Sequence, residues 1–496
     1  HAGPERDARP APLDTAAAPW RTPSQAAANG RANHPSRGTT MSRTGERVAP
    51  ATATMQPWSL TMNRVLEHAA RWHGTRELVS RRLDGGLDRT TWSQVHDRAR
   101  RFSGALRAAG IGVADRVATL AMNSARHVEA WYGIMGIGAV CHTLNPRLFE
   151  ADLEYIVNHA QDRWLVADPV FAPLVAKLLP KCPTVERVVF LCDGAGLPAA
   201  PVGAHAYETL IAGHSTDVRW GEFDELTPSG LCYTSGTTGH PKGVLYTHRS
   251  NYLHMLMLLQ KDCFGFASQD VVLQVVPMFH ANAWGLPFAA AAAGAKLVMP
   301  GPKLDGQSVY ELLEGEQVNC SAAVPTVWQV LLDFLDSKKL RLTTLKRVLI
   351  GGSACPEGLI RAFRDQHGVD VIHAWGMTEM SPLGTTATLN QQAAALDPEA
   401  QMPYKLSQGR VPFGVDMQIT DDDGRVLPHD GRQPGRLKVR GANVVARYFR
   451  GTGDGEAREV VDADGWFDTG DVATIDAEGY MRITDRAKDL IKSGGE

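Results

Sequence analysis

Thr234-Ser235-Gly236-Thr237-Thr238-Gly239-His240-Pro241-Lys242-Gly243 packs hydroxyls, glycines and one lysine behind the apolar stretch Leu231–Tyr233. Glycines let backbone N–H groups approach an anion closely. Hydroxyls donate to phosphate oxygens, or ligate Mg²⁺ when their lone pairs face it. The lysine adds a mobile point charge. Together these residue types suit a loop that holds a polyphosphate. A flexible surface linker has a similar composition, but it lacks the preceding strand and the Pro-Lys-Gly ending. The loop is not of the Gly-Lys-Ser/Thr type that opens a helix, because Lys242 stands between Pro241 and Gly243.

Further stretches follow in order: Gly351-Gly352-Ser353-Ala354, His373-Ala374-Trp375-Gly376-Met377-Thr378-Glu379, Gly465-Trp466-Phe467-Asp468-Thr469-Gly470-Asp471, and Asp485-Arg486-Ala487-Lys488-Asp489 with Lys492. Taken alone, each has a plain structural reading: a strand-to-helix turn, a capped helix start, an Asp-bearing turn and a charged linker. With Tyr233–Gly243 in front of them they resemble, in family order, the core motifs of the adenylate-forming superfamily. That superfamily includes acyl-CoA synthetases, luciferases and the adenylation domains of peptide synthetases. The resemblance runs from about Trp58 to Glu496.

The resemblance implies a role for each station. Thr234, Ser235, Gly236, Thr237, Thr238 and Gly239 cradle the phosphates of ATP, with Lys242 beside them. Glu379 and Thr234 hold Mg²⁺, which prefers one or two protein ligands plus substrate oxygens, and Thr378 contacts phosphate. Gly352, Ser353 and Ala354 wall the adenine slot, and His373, Ala374, Trp375 and Gly376 form its other side, with Trp375 as the stacking surface. Asp471 accepts from the ribose hydroxyls. Asp485 is a domain pivot, while Arg486, Lys488 and Lys492 reach ribose or phosphate. Three departures stand out. Trp375 replaces a common tyrosine, His373-Ala374 replaces a common Gln-Gly, and Gly435-Arg436-Leu437 replaces a frequent Gly-Glu-Leu. With the first the ring still stacks, the second changes the polar contacts just before it, and the third implies a local structural effect only.

Val276-Pro277-Met278-Phe279-His280-Ala281-Asn282-Ala283-Trp284-Gly285 supplies the remaining requirement, a place for an acid. An imidazole donor steadies a carboxylate. By resemblance His280 sits at the acyl carboxylate, Ala281 and Trp284 lie along the acyl tunnel, and Trp284 gates it. No Asp occurs between Val272 and Lys303 to pair with a substrate amine, which argues for a simple acid over an amino acid. The stretch is closest to the fatty-acyl branch. The implied activity is an AMP-forming acid–thiol ligase using ATP, Mg²⁺ and coenzyme A on a carboxylic acid. The alternatives are another acceptor in place of coenzyme A, or a nucleotide-binding module without ligase activity.

Elements must bring these stations together. The sequence has 496 residues, 44% hydrophobic and 21% charged, with net charge −3, which fits an ordinary globular protein and gives no basic stripe for nucleic acid. Arg116–Met122, Trp164–Ala167, Arg187–Leu191, Val271–Val276 and Arg347–Ile350 read as strands. Ala125–Gly136 and Glu357–His367, the latter opened by Pro356 and closed by Gly368, read as helices. Strand–helix alternation predicts an α/β fold with two helix-covered sheets, the large N-terminal domain of the superfamily. After about Gly409 short strands (Asp416–Thr420, Arg436–Val439, Tyr480–Thr484) predict a β-rich subdomain. The expected divisions are 1–55, a disordered or non-native extension; 56–408, the α/β core; 409–484, the β-rich subdomain; and 485–496, a hinge. Met41 or Met55 is the expected start. A targeting peptide is the alternative for the extension, opposed by Glu5, Asp7 and Asp14.

Seven dispersed cysteines without a CxxC pair fit a reduced compartment and no structural zinc. Ala281–Ala295 is too short for a membrane span and reads as core, and Ala289–Ala293 reads as tight helix packing. The expectation is a soluble cytoplasmic protein, a homodimer by analogy with the fatty-acyl branch. Superfamily members continue for about another hundred residues beyond the hinge, so a C-terminal domain carrying a further lysine is expected after Glu496.

Overall fold

The computed structural model describes residues 54–234, 240–450 and 459–486, with the backbone alone at Arg486. The expected extension before Thr54 and the positions Ser235, Gly236, Thr237, Thr238, Gly239, Lys488 and Lys492 lie outside the described residues.

Short β-branched and apolar runs build two large sheets. The first has the order Leu383–Thr386, Asp370–Gly376, Arg347–Ile350, Cys320–Ala323, Val271–Gln274, Lys296–Met299, Glu77–Arg81, Leu87–Thr91. It is parallel except for the outermost strand at each end. The second has the order Ala204–Ala206, Arg187–Phe190, Trp164–Ala167, Arg116–Leu120, Val140–Thr143, Pro228–Tyr233, Gly243–Thr247, with only the last pair antiparallel. Strands covered on both faces should read as nearly continuous apolar runs. Trp164–Ala167 and Val140–Thr143 are buried along their whole length.

The packing of alternate side chains defines the layers. Val117 and Val166 on one sheet and Leu78, Val272 and Leu297 on the other share one core with the helices Trp92–Ala108, Ala125–Gly136 and Leu286–Ala293. Trp131 and Tyr132 meet Phe288 across this layer, at ring centroids of 5.6 and 5.9 Å. The neighbouring residues Ala118, Leu120 and Leu165 point the other way, onto the helices Glu150–Ala160 and Ala172–Leu178. Val79, Leu273 and Val348 do the same toward Gly306–Gly315 and Pro325–Lys338. The result is helix, sheet, helix, sheet, helix, the α/β arrangement expected from the alternation of elements.

Among the described residues a third sheet, Val415–Thr420, Gly435–Gly441, Phe467–Ile475 and Met481–Arg486, is wholly antiparallel. Leu437 and Val439 face inward, while Arg436, Lys438 and Arg440 face out and pair with Asp468, Asp462 and Asp416. That alternation is the period of a half-covered strand.

Ser124 caps the helix Ala125–Gly136 by accepting from His127 N. The segment opened by Pro356 starts as α-helix at Glu357–Arg361 but widens to a π-helical turn over Ala362–His367. Gly368 then ends it at φ 67°, as the sequence suggests. Leu286–Ala293 is a tightly packed helix with Leu286–Ala291 buried. Among the described residues no helix is long and apolar enough to cross a membrane, and all seven cysteines are buried and free.

Candidate active site

A cavity of about 760 Å³ opens where several parallel strands reach their carboxyl ends. That is where open α/β sheets place ligands, because the loops leaving those ends diverge. Pro228–Tyr233 delivers Thr234, Val271–Gln274 leads to Phe279 and His280, Arg347–Ile350 leads to Gly351 and Gly352, and Asp370–Gly376 ends in the cavity wall itself. The third sheet closes one side with Asp468, Thr469 and Gly470.

Thr234 and Lys242 flank the glycine- and hydroxyl-rich stretch singled out in the sequence and hold each other. Thr234 N donates to Lys242 O at 2.9 Å, and Lys242 N donates to Thr234 Oγ1 at 3.3 Å. Lys242 Nζ sits 4.9 Å from the centroid of the Tyr448 ring. The Tyr448 hydroxyl donates to Glu379 Oε1 at 2.7 Å, and Val445 N donates to Glu379 O at 2.8 Å. A lysine, a buried carboxylate and a phenol therefore form one cluster. The Tyr246 hydroxyl donates to Thr378 O at 2.7 Å, which ties the strand after the loop to this cluster. Burial pushes both phenols above their usual pKa, so they remain donors.

A further part of the wall is aromatic. The Trp375 ring packs on Gly384, where an added Cβ would lie 2.5 Å from Trp375 Cζ3. Its indole N–H donates to Asp471 Oδ2 at 3.1 Å. Trp284 lies over the Gly351 backbone, where an added Cβ would meet Trp284 Cη2 at 3.4 Å and Ala374 O at 3.0 Å. A Cβ at Gly384 would clash with the indole and one at Gly351 would press on Ala374 O, so glycine eases the close approach at both places.

The segment that carries Trp284 is unusual. Ala281, Asn282, Ala283, Trp284 and Gly285 all have positive φ, at 41°, 53°, 54°, 54° and 76°. A left-handed turn costs roughly 1–2 kcal/mol for each ordinary residue in it, and for a bulky residue such as tryptophan it is an outlier. His280 immediately precedes it and opens onto the cavity. The protein packed around the ring desolvates it and, with a smaller contribution from Arg147, lowers its pKa. His280 is therefore neutral near pH 7 and keeps one N–H to offer an anion.

The cavity thus brings together Thr234, Lys242, His280, Ala281, Trp284, Gly352, Ala374, Trp375, Gly376, Thr378 and Glu379. The AMP-binding enzyme family matches residues 65–449. This chain belongs to that family. It is 48% identical over 438 residues to a 3-methylmercaptopropionyl-CoA ligase of Ruegeria pomeroyi, covering 88% of this chain and 80% of that protein. It is 46% identical over 438 residues to a medium-chain-fatty-acid–CoA ligase of Ectopseudomonas oleovorans, covering 88% and 79%. The N-terminal domain of FACL13 from Mycobacterium tuberculosis superposes with a TM-score of 0.73 at 26% identity, covering 86% of this chain and 99% of that one.

Other positions singled out in this AMP-binding chain stand outside the cavity lining. Ser353 and Ala354 are exposed beyond Gly352. His373 is buried behind the wall; desolvation lowers its pKa, opposed in part by backbone groups of Leu406, Ser407 and Ser353. Asp471 stands behind Trp375, and its backbone pairs with that of Arg486. Tyr448 and Tyr246 are missing from a motif reading. Tyr448 meets Glu379 across 69 residues of chain, a contact no local pattern encodes, and the aromatic pair Tyr448-Phe449 after an exposed Arg447 is the only hint.

Mg²⁺ bound through substrate fits the donor set. Among the described residues no cluster of three or more His, Cys, Asp or Glu side chains forms a metal cage. Glu379 accepts a hydrogen bond at Oε1, and with Thr234 in the same cavity it would supply oxygen donors of the kind that suit a divalent ion.

Proposed function

We propose that this AMP-binding chain is an ATP-dependent acyl-CoA ligase acting on a fatty or related carboxylic acid. One observation carries the reading: a single cavity is lined by the Thr234–Lys242 pair and Glu379 together with His280 and Trp284. Residue types that suit a polyphosphate and a neutral imidazole thus line the same space, which supports the reading.

Lys242 and the loop it closes hold the phosphates of ATP while Ala374, Trp375 and Gly352 bracket the purine. His280 orients the acid through its N–H, so that a carboxylate oxygen attacks the α-phosphorus in line and pyrophosphate departs. The thiolate of coenzyme A then attacks the acyl-adenylate carbonyl and releases AMP. The chain supplies position and opposite charge more than covalent chemistry. Bound through Glu379 and Thr234, Mg²⁺ would neutralise charge on the leaving pyrophosphate. Trp375 stacks on the purine at the position where its N–H also fixes Asp471, so the stacking ring and the ribose acceptor are set by one bond. In this reading residues 56–408 form the nucleotide and acid core, 409–484 the sheet that completes the ribose side, and 485–496 the hinge, in a cytoplasmic homodimer.

The test is a carboxylic-acid panel, from acetate to long-chain and aryl acids, scored by pyrophosphate release with and without coenzyme A. Release that depends on both acid and coenzyme A supports the reading. Acid-dependent release indifferent to coenzyme A points to another acceptor, and ATP binding without release overturns ligase activity.

A further inference from the structure

The left-handed turn Ala281–Gly285 sets His280 and Trp284 against the cavity, and its own backbone conformation is unfavourable. Something must over-determine it. Asn282, two residues from each of them, is buried at 4% exposure and points away from the cavity. Its Nδ2 donates to Asn251 Oδ1 at 3.2 Å, and its Oδ1 faces the Cys232 thiol at 3.7 Å. Asn251, on the helix His248–Leu259, donates from Nδ2 to Ser229 Oγ at 3.0 Å. Ser229 and Cys232 lie on the strand that runs into the phosphate loop. Thr143 Oγ1 closes the network against Cys232 Sγ at 3.3 Å and donates to Phe279 O at 3.4 Å, directly before His280.

These groups are all buried, and none of the five lines the cavity. They cannot touch substrate, yet they join the strand feeding the nucleotide end to the turn carrying the acid end. Asparagine tolerates the left-handed region better than other non-glycine residues. If backbone conformation were the whole requirement, glycine would serve equally well. The partnership with Asn251, 31 positions away, shows that the side chain has its own task.

We propose that Asn282, held by Asn251, is a specificity-determining positioning residue: its buried amide locks the turn and so fixes where His280 and Trp284 meet the acid. This inference rests on the reading of the cavity as an acid site.

The experiment uses the full-length protein and four forms: wild type, Asn282→Gly, Asn251→Ala and Asn251→Asp. Asn282→Gly meets the backbone need and removes the anchor. Asn251→Ala removes the acceptor, while Asn251→Asp, protonated in its buried place, keeps a carbonyl for Asn282 and an O–H for Ser229. Each form is assayed for kcat and KM across an acid series, for KM of ATP, and for melting temperature. A displacement of a reacting group by about 1 Å costs up to about a hundredfold. A partial loosening should therefore raise acid KM about tenfold and flatten the chain-length profile in Asn282→Gly and Asn251→Ala. ATP KM should move less than about twofold, and Asn251→Asp should stay near wild type. An Asn282→Gly form that folds and keeps the wild-type acid ranking overturns the inference, as does an equal fall of every constant with every acid. A wild type without acid-dependent pyrophosphate release overturns the acid-site reading and this inference together.

Discussion

The two groups of side chains proposed as the nucleotide end and the acid end of the cavity are built differently. The first is secured by direct bonds between its own members: Thr234 to Lys242, Tyr448 to Glu379, Trp375 to Asp471. The acid end hangs on a run of left-handed residues secured from behind by groups that never reach the cavity. The first is a fixed cradle for a fixed ligand. The second has an adjustable setting, because a small change in the buried support moves two side chains at once. The contrast predicts that damage at the nucleotide end lowers turnover for every acid alike, whereas damage at the acid end reorders the acids.

The largest expected effect is at Glu379. Glu379→Gln keeps the size of the side chain and its acceptor for Tyr448 but removes the charge. Losing a transition-state charge contact of this kind costs on the order of 10²- to 10³-fold in kcat. The comparison demands that the loss be the same for short, medium and long acids, with the fold intact by circular dichroism. A loss confined to some acids would show that the two ends are not independent.

His254 lies at the seam between them, and its effect appears as acid sensitivity. Its Nε2 accepts from Leu383 N at 3.2 Å, on the strand that follows the Glu379 stretch. On its other side an added Cβ at Gly285 would come within 2.8 Å of Nδ1, so the ring backs directly onto the left-handed turn. Burial lowers its pKa from 6.5 to about 3. The unfolded chain therefore binds the proton first. The contribution of His254 to stability is complete above about pH 6.5 and falls away as pH drops toward 3. At pH 4.5 that amounts to a loss on the order of 2–3 kcal/mol. His127 and His248, also buried and lowered, to about 4 and about 3, add slopes of the same sign. Urea unfolding of wild type and His254→Gln between pH 7 and pH 4 isolates the share of His254, and the variant should show the shallower decline. Equal slopes would falsify the assignment.

How much of this was readable in the chain depends on the range of the contact. Arg347–Ile350, Trp164–Ala167 and Ala125–Gly136 are legible because burial on both faces forces local apolar runs, and because Ser124 marks its helix start. Thr234, Lys242 and Glu379 stand in short stretches of distinctive residue types, and the fold brings all three to one cavity. Asn282 was in plain view inside its stretch, yet its partner Asn251 sits on another element and nothing in either neighbourhood names the other. Tyr448 was invisible for the same reason. The left-handed turn could not be foreseen, since Ala281, Ala283 and Trp284 have no local preference for positive φ, and only the tertiary network imposes it. The π-helical turn at Ala362–His367 likewise leaves no mark in a periodicity that suits an α-helix.

The smallest expected effect is also the one that bears most directly on the contrast. Trp284 is half-buried, and its ring edge lies over Gly351, so it stands between the acid end and the slot walled by Ala374. It makes no hydrogen bond to Lys242 or Glu379 among the described residues. Trp284→Ala should therefore leave ATP KM nearly unchanged. Removing the indole opens apolar volume beside the acyl chain, and in apolar pockets discrimination between substrates that differ by a methylene is limited to roughly 10–200-fold. The expected outcome is a shift of about tenfold in the ratio of kcat/KM between longer and shorter acids, measured by competition in a mixed-acid assay. The same variant in the Asn282→Gly background should shift the ratio by less, because a tryptophan already released from its setting has less selectivity left to lose. If the two shifts add in full, Trp284 and Asn282 act separately, and the acid end is a set of independent side chains rather than one positioned turn.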